Sequence, residues 1–272
     1  MNQTVNLVKK FLSLFGLEGK KAGIGTRGSL TGVLNNLKTN GFEPGSVIDV
    51  GAAFGSWSST CIKIFPDAQY LLIEPLVEYE PALTKTVAEI KNAEYVLQGL
   101  FNKTSSKTLY LHQDLVGSSL KQENESHNQN RTKQRTVPCV TLDDLVQTKD
   151  LRFPSLIKLD VQGSELEVIS GAQTMLTRTE VLIMEVSLIE CISEAPMFAE
   201  VIEQLKNTGF VVYDIFGHNY RPYDTALAQV DIVFIQESSP LRAVKWYADK
   251  NQRIEMNRKF KEQLKQKNVW IP

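Results

Sequence analysis

Cysteine is scarce in this chain: Cys61, Cys139 and Cys191 are the only three. They stand far apart and are odd in number, which suggests neither a disulfide framework nor a zinc knuckle. A reduced, cytoplasmic setting is expected. An excess of charge of one sign is also missing. The formal net charge is -1, so no global field draws the protein to nucleic acid or to an anionic membrane, and no nucleic-acid partner is expected. No apolar run approaches the ~20 residues of a transmembrane helix. Lys9 and Lys10 precede Phe11-Leu12-Ser13-Leu14-Phe15 without the charge-first order or small-residue cleavage site of a signal peptide. Histidine is rare as well, with three residues in all. These and the scattered acids show no metal-ligand spacing, so no metal is expected. A divalent ion on Asp160 and other oxygens stays conceivable but is not required.

What is present suits one large α/β domain with small appendages: 272 residues, 42% apolar and 22% charged. Val5, Val8, Phe11, Leu12 and Phe15 recur at helical spacing. They predict an amphipathic cap, packed on its own domain or on a second copy in a homo-oligomer; a membrane-surface role is the lesser alternative. A second helix is expected from Arg27 to Asn40, stopped by Gly41, and the two make an N-terminal helical region over 1–44. From Ser46 strands and helices alternate. Strands are expected at 46–51, 69–74, 94–98, 155–161, 181–186, 210–215 and 230–235, each a short apolar or β-branched run. Helices are expected at 57–65, along the Tyr79-Leu83-Val87-Ile90 face, after Gly163, and along Phe198-Val201-Ile202-Leu205. Ser164-Glu165-Leu166-Glu167 reads as a capping box opening the third of these. The last two strands have no helical pattern between them and predict an antiparallel hairpin with a long loop. Alternation of this kind gives a mainly parallel, doubly wound sheet, with ligands beyond the carboxyl ends of the strands.

Two stretches interrupt the rhythm. Thr108–His112 and Thr136–Val140 predict extra strands, and residues 121–136 between them contain no apolar residue. An insertion over 113–136 with the composition of a mobile loop follows. It is either a tolerated surface feature or a cover over substrate, with Ser118, Ser119 and Leu120 at a possible site edge. Residues 240–272 carry nine Lys or Arg against three Asp or Glu. They predict a basic helical tail outside the 45–239 domain, its charge a solvated face.

Chemistry concentrates at the expected strand ends. In Asp49-Val50-Gly51-Ala52-Ala53-Phe54-Gly55, the glycines flank a tight strand-to-helix turn that lets backbone approach a ligand. Asp49, on the strand itself, can receive an ammonium group. The turn lacks the Gly-x-Gly-x-x-Gly of a pyrophosphate site. Glu74 ends the second strand about 20 residues later, where an acid can accept both ribose hydroxyls of an adenosine. Asp160 ends the fourth strand facing the centre of the crevice, followed by Gln162 and Gly163. Glu165 is explained by the helix dipole alone. Glu185 ends the fifth strand. His218, in an expected loop, and His112 with Asp114 are general-base candidates, and exposed loop residues otherwise.

At these residues the chain resembles the FkbM family of methyltransferases that use S-adenosylmethionine (SAM). The resemblance runs in order through Val47-Ile48-Asp49-Val50-Gly51-Ala52, Ile73-Glu74-Pro75, Ser118-Ser119-Leu120 and Val140-Thr141-Leu142-Asp143-Asp144-Leu145. It continues through Ile157 to Val168, Met184-Glu185-Val186-Ser187 and Ala195-Pro196-Met197-Phe198. It implies a Rossmann-like class I methyltransferase sandwich, with a seven-stranded, mostly parallel sheet whose last strand is antiparallel. It implies SAM as cofactor, S-adenosylhomocysteine as product, and O-methylation of a sugar, a glycolipid or polysaccharide precursor, or a natural product. Asp49, Gly51, Ala52 and Gly55 would surround the methionine part, Glu74 and Pro75 the ribose, and Gln98 to Phe101, with Leu100, the adenine. Asp160 would lie between cofactor and acceptor, with Ser118, Ser119, Gln162 and Glu185 on the acceptor side and Asp160 or His218 as base. The family commonly has Asn where this chain has Ala53. A non-catalytic SAM-binding assembly subunit and a nucleotide- or NAD-dependent enzyme on a similar sheet are the alternatives.

Overall fold

The computed structural model describes residues 27–122, 133–267 and 269. The expected helix at Val5–Phe15 lies outside them. Helix α1 (Leu30–Thr39) is capped by Ser29, whose hydroxyl accepts the Gly32 N–H at 3.2 Å, and it buries Val33, Leu34 and Leu37. The first half of the main sheet follows as β1 (Ser46–Val50), α2 (Ser56–Cys61), β2 (Gln69–Ile73), α3 (Glu80–Glu89) and β3 (Ala93–Val96). An inserted sheet comprises β4 (Gly99–Leu100), β5 (Ser105–Leu111) and β6 (Lys133–Val140). The second half is α4 (Leu142–Val146), β7 (Ser155–Leu159), α5 (Glu165–Ser170), α6 (Gln173–Leu176), β8 (Thr179–Ser187), α7 (Phe198–Asn207), β9 (Phe210–Tyr220) and β10 (Leu227–Gln236).

The main sheet has seven strands in the order β3-β2-β1-β7-β8-β10-β9, with β10 antiparallel to both neighbours and the other pairs parallel. This is the expected doubly wound architecture. Its central strands are wholly buried because their residues feed apolar layers on both faces. Ile48, Val50, Ile157, Leu159, Leu182 and Met184 belong to one large core with Val168, Ile169, Met175, Val201 and Leu205 from the helices. The alternate residues, Asp49 and Lys158 among them, point to the opposite face. The order of strands reverses between β1 and β7, which opens a crevice at their carboxyl ends.

Several expectations are corrected. The helix after Gly163 is two short helices, broken at Gly171-Ala172. A Cβ at Gly171 would lie 2.3 Å from the Phe101 carbonyl oxygen, so the inserted segment passes too close for the helix to continue undisturbed. Ser164 makes no capping hydrogen bond. Strand β6 starts at Lys133, inside the expected loop, and pairs antiparallel with β5 over Ser105–Leu111. The hairpin of β9 and β10 turns within residues 221–226 rather than through a long loop, because both strands extend further than their apolar runs. Among the described residues no helix is long and apolar enough to cross a membrane.

Residues from Ser238 onward form a second compact unit. Its helix α8 (Lys250–Gln266) has a reciprocal cap: the Asp249 carboxylate accepts the Gln252 N–H at 2.8 Å, and the Gln252 side chain accepts the Asp249 N–H at 2.9 Å. Arg258 bridges Glu255 and Glu262 along its surface.

Candidate functional site

The crevice between β1 and β7 holds a cavity of about 680 Å3, part of it open to solvent. Gly51, Ala53, Glu74, Pro75, Gln98, Leu100, Ser118, Ser119, Asp160 and Gln162 line it. Most of the residues expected at the site therefore meet in the lining of one cavity, although they come from distant parts of the chain.

The glycine turn is shaped by close approach. Gly51 has φ +72°, and a Cβ there would lie 1.9 Å from the Asp160 carbonyl oxygen. The tips of β1 and β7 touch at that point. Ala53 is also left-handed, with φ +47°. Its N–H donates to Glu74 Oε2 at 2.9 Å, while Leu76 N–H donates to Oε1 at 3.0 Å. Glu74 thus braces two loops and still faces the cavity with lone pairs to spare. Burial pushes its pKa up, against those two hydrogen bonds and the Lys158 charge. A buried acid in this state gains from hydroxyl donors.

Left-handed φ gives the Ala53 position a physical meaning. Alanine pays for αL with its Cβ, whereas asparagine tolerates it through local hydrogen bonding. We expect Ala53→Asn to raise stability by roughly 0.5–1 kcal/mol. Thermal unfolding checks this: a midpoint that falls would show that the turn is not strained.

Much of the cavity lining is apolar: Leu100, Leu109, Leu115 and Leu120 line it with Tyr79. The inserted sheet supplies Leu100 and Leu109, and the segment after β5 supplies Leu115 and Leu120, so the insertion is part of the site. Two contacts fasten it. Arg135 on β6 forms a two-point ion pair with Glu78, holding that carboxyl down to about 2. Ser119 Oγ donates to the Gln162 carbonyl at 2.6 Å, pinning a residue whose φ is +55°.

Asp160 faces the cavity with both oxygens engaged. Gln162 Nε2 donates to Oδ1 at 2.8 Å, and Lys158 Nζ lies 3.5 Å from Oδ2. Gln162 also donates to Glu185 Oε2 at 3.2 Å, as does Gln229 at 2.9 Å. Beside Glu185 in the sheet register stands Asp231. Burial, with the Asp160 charge next, pushes Glu185 up to about 8 and Asp231 to about 7. Burial likewise pushes Glu165 to about 7, although its carboxylate accepts the N–H groups of Gly163 (3.0 Å) and Val161 (3.2 Å). Its dipole-only explanation is therefore corrected: Glu165 holds the loop that presents Asp160 and Gln162.

Other expectations change. Asp49 is fully buried and not on the cavity wall. Its carboxylate accepts the Ser58 hydroxyl at 2.7 Å and faces Lys158 Nζ at 3.2 Å. The ammonium it receives is the protein's own. Ala52 and Gly55 build the turn without lining the cavity; Gly55 N–H donates to the Ala52 carbonyl at 2.8 Å. Glu185 reaches the cavity only through Gln162. His218 is exposed near the end of edge strand β9 and does not line the cavity. His112 and Asp114 bond each other at 2.5 Å in the turn before Gly117, also off the cavity wall. No cluster of metal-binding side chains occurs among the described residues.

Lys158 and Asp231 had been passed over. Both left a signal: each is a lone charge within an apolar strand, and Lys158 stands in register beside Asp49 on the neighbouring strand.

The model of the FkbM methyltransferase domain matches residues 49–212. The hexuronic acid methyltransferase AglP of Haloferax volcanii is 26% identical over 96 residues, covering 33% of this chain and 40% of that protein. The chain thus matches less than half the length of this curated relative. Among solved structures, a methyltransferase FkbM from Methylobacillus flagellatus is similar at 13% identity and a TM-score of 0.43, over 70% of this chain and 43% of that one. Magnesium protoporphyrin IX methyltransferase from Synechocystis, solved with bound SAM, is similar at 13% identity and a TM-score of 0.44, over 85% and 96%. With the family model covering more than half of its length, the chain belongs to the FkbM family of SAM-dependent methyltransferases.

Proposed function

We propose that this protein transfers the methyl group of SAM to a hydroxyl of a sugar, a glycolipid or polysaccharide precursor, or a natural product. The observation that carries the reading is one cavity whose lining unites Glu74, Gly51 and Asp160 at the carboxyl ends of β2, β1 and β7. The residues fit the cofactor at its adenosine end: Glu74 offers free lone pairs to ribose hydroxyls, and the leucine-lined end accepts the base. Bound SAM supplies a methyl carbon made electrophilic by a sulfonium.

The chain's own task is alignment and proton removal. Reacting atoms need to be held about 3–3.5 Å apart. Gln162 and Lys158 fix the Asp160 carboxylate from two sides. The Asp160 carboxylate would take the proton of the acceptor hydroxyl, directly or through water. Gln162, Ser118 and Ser119 supply polar edges for the acceptor. His218 has no place in this scheme, being off the cavity.

Calorimetric titration with S-adenosylhomocysteine tests the reading. Micromolar binding is expected, weakened about 10–100-fold by Glu74→Ala, as one or two charge-assisted hydrogen bonds are lost. Absence of binding by the unaltered protein would overturn the cofactor site.

A further inference from the structure

The Lys158 ammonium has three oxygen neighbours: the Gly51 carbonyl at 2.7 Å, Asp49 Oδ1 at 3.2 Å and Asp160 Oδ2 at 3.5 Å. It has three protons and lies nearly out of solvent, with 7% of the residue exposed. Burial alone would lower its pKa, but the charges of Asp49 and Asp160 outweigh that and raise it. Two of its partners, Gly51 and Asp160, line the cavity; Lys158 and Asp49 do not.

From this geometry we propose that Lys158 is a positioning residue joining the cofactor turn to the acid at the acceptor end. It holds the Gly51 carbonyl and the Asp160 carboxylate in fixed relation and neutralises part of the Asp160 charge from below. The proposal rests on the methyltransferase reading. Asp49 is the counter-charge that lets the ammonium stay buried, and Ser58 fixes Asp49 in turn.

A purely structural lysine would serve only to balance Asp49. The two roles separate in an electrostatic comparison. SAM carries a positive sulfonium that S-adenosylhomocysteine lacks, and otherwise the two share their contacts. An Asp160 carboxylate released from its lysine attracts the cationic ligand more strongly. The ratio of the two affinities therefore reads the charge presented by Asp160.

Lys158→Met by itself leaves the Asp49 carboxylate buried without a counter-charge and is expected to lower the unfolding midpoint sharply. Asp49→Asn/Lys158→Met removes both charges and is expected to regain most of that midpoint. In this double variant, calorimetry with SAM and with S-adenosylhomocysteine should show the affinity ratio shifted about tenfold toward SAM. Adding Asp160→Asn should abolish the shift, and Lys158→Arg should keep the original ratio.

Equal weakening of both ligands in the folded double variant, with the ratio unchanged, would overturn the positioning role and leave Lys158 a structural counter-ion. A shift that survives Asp160→Asn would overturn it too. Failure of the unaltered protein to bind either ligand would instead defeat the methyltransferase reading, so the two failures are distinct.

Discussion

Asp160→Asn is expected to slow methyl transfer by about 10²–10⁴-fold, the usual worth of a positioned general base. Affinity for S-adenosylhomocysteine should change by less than about threefold, because the substitution preserves shape and removes no contact to the Gly51 turn. Asparagine can still accept the Gln162 amide proton at Oδ1. It cannot take a proton from an acceptor hydroxyl. The measurement is the rate of S-adenosylhomocysteine formation with an acceptor drawn from a screen of sugars and glycolipid precursors, alongside calorimetry on the same preparation. Full turnover in the variant would remove Asp160 from proton transfer and leave it a charge at the acceptor end. Equal losses in rate and cofactor affinity would assign it to the cofactor instead. His218→Ala is the control expected to turn over at the unaltered rate, since that side chain is exposed on β9 and off the cavity wall.

The architecture was legible because the central strands are short apolar runs punctuated by glycine and proline. Periodicity alone gives β1, β2, β7 and β8. Order and spacing then place the crevice at the reversal between β1 and β7. What escaped was contact across the sheet. Asp49 and Lys158 are 109 positions apart in sequence, yet the parallel register sets them side by side, and that pairing decides which ammonium Asp49 receives. Glu165 escaped for a different reason. An acid in a first helical turn already has a sufficient local explanation, so nothing in the sequence demands that it reach back to the N–H groups of Gly163 and Val161. His218 was expected in a loop, while β9 continues to Tyr220 beyond its apolar stretch. The insertion hid its role because its apolar contributions are isolated leucines: Leu109, on β5 where it pairs with β6, and Leu115 and Leu120 in the segment after β5.

Folding stability should fall as pH rises from about 5 to about 8.5, opposite to the behaviour of a protein held by salt-bridged surface acids. Glu165, Glu185 and Asp231 are pushed to about 7, 8 and 7 by burial and by one another's charge or that of Asp160. In the unfolded chain such groups titrate near 4. Between pH 4 and 8 the folded state therefore binds more protons than the unfolded state, and stability decreases with pH. The favourable contribution is complete below about pH 4 and is lost as pH passes through 7 to 8. Acids with lowered values, Glu78 and Glu255 at about 2, act with the opposite sign but only below about pH 4.5, outside this window. The three raised groups interact, so their effects do not add; a total loss on the order of 2–4 kcal/mol is expected. Urea unfolding at pH 5.5 and 8.5 measures it, and Asp231→Asn should flatten the slope because it removes one titrating group and one repulsive charge. A midpoint that rises with pH would mean that these carboxyls ionise normally, and that the strand-end acids stand in water rather than in a closed acceptor site.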